Sequence, residues 1–226
     1  MPSIAKTAVI HDGVKIGKCS VIKDFVVIYP GVEIGDNVEI MEGAVIGRIP
    51  KGAKATARKP NEEYKTVIIE DGCVISPHVV IYTDVTIGKG TLIGDGASIR
   101  EQCTIGERCI ISRFVSINYN TKIGNNTKIM DNSHITGNMS IGDNVFISVL
   151  VATTNDRNIG AKGYDEDLIK GPTICDNVLV GAAANILPGV VIGEGSIIGA
   201  NTLVFRDVPP NKFVMAMPRQ TVAERN

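Results

Sequence analysis

Large aliphatic residues recur at every sixth position along most of the chain. The first run holds eight isoleucines over residues 4–46, the second holds fourteen over 69–147, and the third holds six isoleucines or valines over 174–204. A period of six fits neither an α-helix, with 3.6 residues per turn, nor a long strand, in which side chains alternate. The pattern therefore predicts short strands separated by turns, with one large aliphatic side chain pointing inward per step.

The residues around each aliphatic position are small or favour turns. Glycine follows directly at Gly17, Gly35 and Gly88, and we expect such residues to supply the positive φ that a tight corner demands. Two positions before the aliphatic residue, the side chain is usually small: Ser20, Cys73, Cys103, Cys109, Ser133, Ala184 and Ser196. Three of the five cysteines occupy this slot, which predicts that they are small core residues and not ligands or nucleophiles.

Three steps of six residues make one 18-residue triangular coil, and coils stack at the strand spacing of about 4.8 Å. The predicted fold is an all-β parallel β-helix of about nine to ten coils over residues 1–205, in which each coil pairs with its neighbours. Two breaks in the period predict inserted loops near residues 47–66 and 154–171. Residues 206–226, with prolines that cannot extend a ladder, form the predicted C-terminal cap.

Composition narrows the function. Of the 226 residues 44% are hydrophobic and only 4% aromatic, and the net charge is −1, which excludes a disordered chain and a bulk cationic surface for nucleic acid or membranes. No apolar run approaches the roughly 18 residues of a membrane span, and the N-terminus lacks a signal-peptide core. An odd number of cysteines without a paired motif favours a reduced, cytoplasmic protein.

The first insertion is basic. It contains six cationic residues against two carboxylates: Arg48, Lys51, Lys54, Arg58, Lys59 and Lys65. In a nearly neutral protein, this excess suggests capture of a phosphate-bearing ligand, and Arg48, Lys54 and Arg58 are the candidates for substrate binding. The alternative is a solvated loop.

The second insertion leaves the coil at Thr154, Asn155 and Asp156. A long loop inside a regular array is usually functional or disordered. Residue 152 lies one 18-residue coil above His134, which precedes the inward Ile135, so the imidazole is expected to point outward beneath the loop. The register predicts that His134, Asn155 and Asp156 cluster on one outer face, although a surface histidine without a chemical role is the alternative.

The hexad pattern resembles that of the hexapeptide-repeat acyltransferase superfamily, whose members are left-handed parallel β-helices that form trimers. Residues 132–138 and 153–156 are similar to N-acetyltransferases that act on nucleotide-linked deoxyaminosugars, in which a similar Thr-Asn-Asp begins the active-site loop. This resemblance implies a cytoplasmic homotrimer that transfers an acetyl group from acetyl-CoA to the amine of a dTDP- or UDP-linked sugar, for surface polysaccharide assembly.

The same resemblance assigns site residues. Acetyl-CoA would lie between adjacent subunits, its pantetheine amides bonded by backbone and its phosphates by cations; these cofactor-binding candidates are Gly181, Ala182, Ala183, Gly199, Ala200, Arg206, Lys212 and Arg219. Asn132 and Thr154 are further candidates for substrate binding.

Three candidates carry the chemistry. His134, with an ordinary pKa near 6.5, is the best available base. Asn155 would hold a sugar hydroxyl or the histidine, and Asp156 would accept from the ammonium group or fix the ring tautomer.

Three alternatives stay open. A zinc enzyme like the γ-class carbonic anhydrases is disfavoured, because His78 and His134 lie three coils apart, about 14 Å, beyond one ion's ligand distance; no metal is expected. The second is an O-acetyltransferase for serine, a sugar or an antibiotic, which the basic first insertion disfavours. The third is a non-catalytic trimeric scaffold, which would leave His134 unexplained.

Overall fold

The computed structural model describes residues 1–55, 58–61 and 63–217. In this part of the chain the strands, in chain order, are β1 (Ser3–Ile4), β2 (Val9–Ile10), β3 (Lys15–Ile16), β4 (Val21–Ile22), β5 (Val27–Ile28), β6 (Glu33–Ile34), β7 (Glu39–Ile40), β8 (Val45–Arg48), β9 (Ile68–Ile69), β10 (Val74–Ile75), β11 (Val80–Tyr82), β12 (Val85–Ile87), β13 (Leu92–Ile93), β14 (Ser98–Ile99), β15 (Cys103–Ile105), β16 (Ile110–Ile111), β17 (Ser116–Ile117), β18 (Lys122–Ile123), β19 (Lys128–Ile129), β20 (His134–Ile135), β21 (Ser140–Ile141), β22 (Phe146–Ile147), β23 (Ala152–Thr153), β24 (Thr173–Ile174), β25 (Leu179–Val180), β26 (Asn185–Ile186), β27 (Val191–Ile192), β28 (Ile197–Ile198), β29 (Leu203–Val204) and β30 (Phe213–Val214).

Every third strand belongs to the same parallel sheet, and the three sheets form the walls of a triangular prism. Sheet A runs from β1 to β30 with eleven strands, sheet B from β2 to β29 with ten, and sheet C from β3 to β27 with nine, among the described residues. Strands pair in a register of one coil, as in Ile99 with Ile117 and Ile117 with Ile135. The predicted left-handed parallel β-helix is confirmed, but the eleven strands of sheet A in the described residues make it longer than the nine to ten coils expected.

The core is a set of aliphatic ladders inside the prism. Ile22 is 1% exposed, whereas Ile4, in the first coil, is 44% exposed because no coil covers it. Cys73, Cys103 and Cys109 are buried as predicted. Burial raises the pKa of Cys73 to about 11 and that of Cys103 to about 12, so these thiols are not ionised at neutral pH.

The corners differ from the sequence-based interpretation. The left-handed conformation falls on the third residue after most aliphatic positions, as at Asn120 and Asn126, with φ of 51° and 55°. The glycine that follows the aliphatic residue has another purpose. A Cβ on Gly88 would lie 2.6 Å from the carbonyl carbon of Gly106 in the next coil. Our expectation that these glycines supply positive φ was wrong; they allow coils to approach closely.

Both insertions leave the same edge of the prism, the corner between sheets B and C. The first connects β8 in sheet B to β9 in sheet C, and the second connects β23 to β24 in the same sheets. Five steps along sheet B separate β8 from β23. At about 4.8 Å per step, the two departure points are roughly 24 Å apart along one edge.

The C-terminal segment covers the last coil. Val208 forms a parallel bridge with Ile192, and β30 pairs with β28. Helical structure in the described ranges is limited to one short 3-10 helix (Glu166–Leu168). None of the helical segments that the structure describes has the length and apolarity to cross a membrane.

Because backbone of the next coil occupies the space beside Gly88, replacing Gly88 with Ala should lower the free energy of unfolding by about 1–3 kcal/mol, measured by urea denaturation. Gly72→Asn is the matched control, since Gly72 has a positive φ and no atom within 4 Å of an added Cβ, and asparagine tolerates that conformation. Equal losses in the two variants would contradict the close-approach explanation.

Candidate functional site

His134 lies on the outer face of sheet B, where its side chain is exposed. The sequence places it beside small residues, with Ser116 one coil below and Ala152 one coil above. Its Nδ1 is 2.7 Å from Ser116 Oγ, and its backbone N–H donates to the carbonyl of Val151 at 2.8 Å. The imidazole is therefore oriented through Nδ1.

The environment of His134 favours the neutral ring. Partial burial against its neighbours lowers its pKa from the ordinary 6.5, because desolvation penalises the charged imidazolium. A neutral imidazole can accept a proton, and the nitrogen that does so is decided by the hydrogen bond at the other nitrogen. When Nδ1–H donates to Ser116 Oγ, Nε2 is the basic atom.

Asn155 and Asp156 stand at the start of the second insertion and are engaged with backbone. Asn155 Nδ2 donates to the carbonyl of Gly137 at 3.1 Å. The Asp156 carboxylate accepts from the N–H groups of Asn158 and Gly160 at 2.7 and 2.6 Å. Among the hydrogen bonds of the described residues, none joins either side chain to His134. Asn155 holds the start of the insertion to the corner and Asp156 fixes the backbone within the insertion, which the sequence did not reveal.

Thr154 and Asp156 line a largely apolar cavity of about 490 Å³. Its other walls come from the insertion and from the residues that follow sheet B strands, among them Leu187, Pro188 and Phe205. Arg157 also lines it, and its Nε donates to the carbonyl of Pro188 at 3.1 Å.

The small residues proposed for cofactor binding meet at the corner between sheets A and B. Gly181 and Gly199 follow paired strands of sheet A in successive coils. Ala182 and Ala183 come directly after Gly181, and Ala200 comes directly after Gly199. Coil stacking explains several of them: a Cβ on Gly181 would lie 2.6 Å from the amide nitrogen of Ala200. Ala183 has a φ of 56°.

Asn132 lies on the same corner as Ala183, two coils lower, and has a φ of 59°. The left-handed backbone at this corner explains why an asparagine stands here, and binding of a ligand would be a second role for the residue.

The cations proposed for cofactor phosphates lie elsewhere. Arg206 and Lys212 line a cavity of about 380 Å³ at the C-terminal end of the prism, together with Phe205 and Phe213. The guanidinium carbon of Arg206 is 4.7 Å from the Phe205 ring centroid. Arg219 lies outside the described residues.

The first insertion does not present all its cations to solvent. Arg58 forms an ion pair with Glu101, whose side chain is fully buried, and donates to Gln102 Oε1 at 3.0 Å. Its guanidinium carbon is 3.8 Å from the ring centroid of Tyr119. The sequence-based interpretation of Arg58 as a phosphate-binding cation overlooked this carboxylate, which pairs with both Arg58 and Arg100.

Glu101 is the buried charge that sequence reasoning missed. Burial by itself would raise its pKa, but hydrogen bonds from Arg100 and Arg58 outweigh that effect and the net shift is downward. Arg100 Nε donates to Glu101 Oε2 at 2.8 Å. The sequence held one indication of this ion pair, because Glu101 directly follows Arg100 and lies two residues after the inward Ile99.

The other two cations differ from each other. The guanidinium carbon of Arg48 is 5.3 Å from the Tyr82 ring centroid, and Lys54 is exposed. In the part of the chain that the structure covers, no three histidine, cysteine, aspartate or glutamate side chains come together in a group that could hold a metal ion.

Relatives and solved structures share parts of this architecture. Over 83 residues the chain is 36% identical to the serine acetyltransferase of Mycobacterium tuberculosis. This stretch is 37% of this chain and 33% of that protein. Over 54 residues it is 43% identical to the galactoside O-acetyltransferase of Escherichia coli, covering 24% of this chain and 27% of that protein. The chain thus spans about a third or less of the length of these relatives.

The solved structure of the Arabidopsis UDP-N-acetylglucosamine acyltransferase matches with a TM-score of 0.66 at 20% identity, over 94% of this chain and 71% of that one; this likeness concerns the fold. The family model described as bacterial transferase hexapeptide (six repeats) matches residues 7–48, 84–118, 120–148 and 171–206. These segments make up more than half of the chain, which therefore belongs to the bacterial transferase hexapeptide family.

Proposed function

We propose that this protein is a cytoplasmic acetyltransferase that moves the acetyl group of acetyl-CoA to the amine of a nucleotide-linked deoxyaminosugar, as used in surface polysaccharide assembly. The observation that carries the proposal is His134, a histidine with a lowered pKa whose Nδ1 is 2.7 Å from Ser116 Oγ on the outer face of sheet B, one coil below Ala152, which lies in the strand that leads into the second insertion. Sequence similarity of residues 132–138 and 153–156 to sugar N-acetyltransferases supports the acceptor class.

The reaction is attack of an amine on a thioester. The amine nitrogen forms a bond to the acetyl carbon, the bond from that carbon to sulfur breaks, and CoA leaves as the thiolate, which becomes the thiol by taking up the proton that His134 has removed from the nitrogen. The nitrogen loses one proton, which His134 Nε2 accepts while Nδ1–H donates to Ser116 Oγ. Because an unprotonated amine is a good nucleophile, orientation of the two reactants contributes much of the rate. Asn155 and Asp156 take part as positioning residues that fix the start of the second insertion.

The path of acetyl-CoA is part of the proposal. A pantetheine arm would run along the small residues Gly181, Ala182, Ala183, Gly199 and Ala200 towards Asn132, two coils or roughly 10 Å lower. Small side chains would let the arm approach backbone groups closely. His134 follows Asn132 by two residues, which would bring the thioester to the imidazole.

Charged groups would receive the phosphates. Arg206 and Lys212 share one cavity at the C-terminal end, where a CoA phosphate would meet both, and Arg219 belongs to the same proposal. Arg48 and Lys54 are proposed for the diphosphate of the acceptor, with Thr154 binding its sugar. Arg58 is no longer assigned to the acceptor phosphates, because it pairs with the buried Glu101.

A homotrimer is supported by an apolar row on the outer face of sheet A. Phe146, Leu179, Ile197 and Phe213 pair in successive strands and are 37–59% exposed. A contiguous exposed apolar patch marks an interaction surface more often than a free one. A second copy of the chain would cover this row, and the groove between copies would complete the acetyl-CoA site.

An O-acetyltransferase is the second candidate, and it is favoured by the name of one relative, a galactoside O-acetyltransferase; another relative is a serine acetyltransferase. A hydroxyl is a weaker nucleophile and depends more on a base than an amine does. Offering acetyl-CoA with matched nucleotide-linked sugars that carry an amine or a hydroxyl at the same carbon separates the two candidates.

Replacement of His134 with Asn should lower the rate of acetyl transfer by about 10²-fold or more, because the base is lost while a side chain of similar size remains. His78→Asn is the matched control: His78 is exposed with a φ of 60°, which asparagine tolerates, and its turnover should equal that of wild type. Turnover of the His134 variant near the wild-type rate would reduce His134 to a surface residue.

Loss of the Ser116 hydroxyl should lower kcat about two- to tenfold with unchanged KM, as expected for one hydrogen bond, because the ring is no longer held in the basic tautomer. Ser116→Thr should restore the rate. Ser98→Ala, one coil below in the same row, is the control and should leave kcat unchanged. Equal effects of the Ser98 and Ser116 changes would contradict a positioning role.

The lowered pKa of His134 has a direct test. Its imidazole C2 proton, followed by NMR against pH, should titrate below 6.5, so that the base stays unprotonated to lower pH than an ordinary histidine would. Assignment comes from the signal that disappears in His134→Asn. A midpoint at or above 6.5 would contradict the effect of burial on this ring.

A further inference from the structure

The two insertions enclose a cleft that the acetyl-transfer proposal does not use. Both leave the corner between sheets B and C, five coils apart, and they fold over the coils between them. The cavity has a volume of about 700 Å³ and receives side chains from both insertions and from the corner. This size is within the range of small-molecule sites. His134 is not among its lining residues.

The floor of the cleft is a ladder of amide side chains, one from each of three successive coils. Asn120 Nδ2 donates to Asn138 Oδ1 at 2.9 Å, and Asn138 Nδ2 donates to the carbonyl of Ile169 at 3.1 Å. Gln102 Oε1 accepts from Arg58. These bonds fix the amide planes while leaving lone pairs and N–H groups for a ligand, since each amide offers two donors and an oxygen with two lone pairs.

The walls of the cleft are balanced in charge. Lys170 and Arg58 line it together with Glu166 and Asp167, and the buried Glu101 behind Arg58 is matched by Arg100, with which it also pairs. An excess of unpaired cations, which phosphate capture would require, is not found among these lining residues. The chemistry suits an uncharged ligand that both donates and accepts hydrogen bonds.

The aromatic residues contribute hydroxyl groups to the cleft. Tyr119 packs against the Arg58 guanidinium and against Gly137, where an added Cβ would lie 2.8 Å from its ring. Its hydroxyl is 3.4 Å from that of Tyr164. Burial, followed by the contact with Tyr119, raises the pKa of Tyr164 above the ordinary value of a tyrosine, so the Tyr164 hydroxyl stays protonated at neutral pH and can serve as a donor or an acceptor.

We propose that this cleft binds a pyranose ring through its hydroxyl groups. Amide side chains and phenolic hydroxyls on a rigid corner match the paired donors and acceptors of a sugar, and balanced charge disfavours a nucleoside diphosphate. The ring bound here is separate from the amine attacked at His134, because the two places share no lining residue. The proposal concerns binding and does not depend on acetyl transfer.

The test is saturation-transfer NMR without acetyl-CoA, using the methyl glycosides of glucose, N-acetylglucosamine and fucose, with UDP and inorganic pyrophosphate as charged probes. At least one glycoside should bind, and Asn120→Gly should weaken it about fivefold, the effect of one hydrogen bond. Glycine accepts the φ of 51° at this position. The matched control is Asn126→Gly, whose residue has a φ of 55° and the same ladder bond to Asn144 on another corner.

Tyr164→Phe is the second variant and should also weaken glycoside binding, while His134→Asn should leave it unchanged. Absence of binding by all three glycosides would overturn the proposal. So would glycoside binding that is equally affected by the Asn120 and Asn126 changes, or binding of UDP or pyrophosphate that is lost in Asn120→Gly. Because no acetyl group is transferred in this experiment, failure of the proposed function would not alter its result.

Discussion

The structure depends on one constraint, the parallel stacking of backbone at an interval of 18 residues. Each strand bonds only to the strands one coil away, so every side chain inside the prism must repeat in register with the one below. The inward isoleucines meet this requirement because they stack in register and are buried. Glycines at positions such as Gly88 leave room for the backbone of the neighbouring coil. Aromatic side chains are too large for that interior, which explains why the described tyrosines and phenylalanines lie outside it.

Chemistry is consequently confined to outward positions and to breaks in the period. His134 is outward, and its partner Ser116 is the residue one coil below. The breaks both open at the corner between sheets B and C, so the residues they carry collect along one edge. A regular coil offers a flat wall, and the two insertions add the concave surfaces, including the cavity of about 700 Å³ between them.

The buried carboxylate of Glu101 links the first insertion to the coils. Removing a charge from water is costly unless it is paired and hydrogen-bonded, and here Arg58 comes from the insertion while Arg100 comes from the coil itself. Tyr82 and Tyr119 pack against arginines along the same edge. The insertion is thereby anchored by specific pairing, although its composition resembles that of a solvated basic loop.

The periodicity of the sequence determined the coil, the core and the small inward positions occupied by Cys73, Cys103 and Cys109. It also determined the position of His134 below Ala152, because in a fixed register the residue number gives the position in the coil. The same register also places both insertions at one corner, because the two strands from which they leave are separated by a whole number of coils. Only the tertiary structure decided that Arg58 meets Glu101, that Asp156 holds the loop backbone and that Tyr164 approaches Tyr119. Residues inside the insertions follow no period, so their partners depend on how each loop folds back over distant coils.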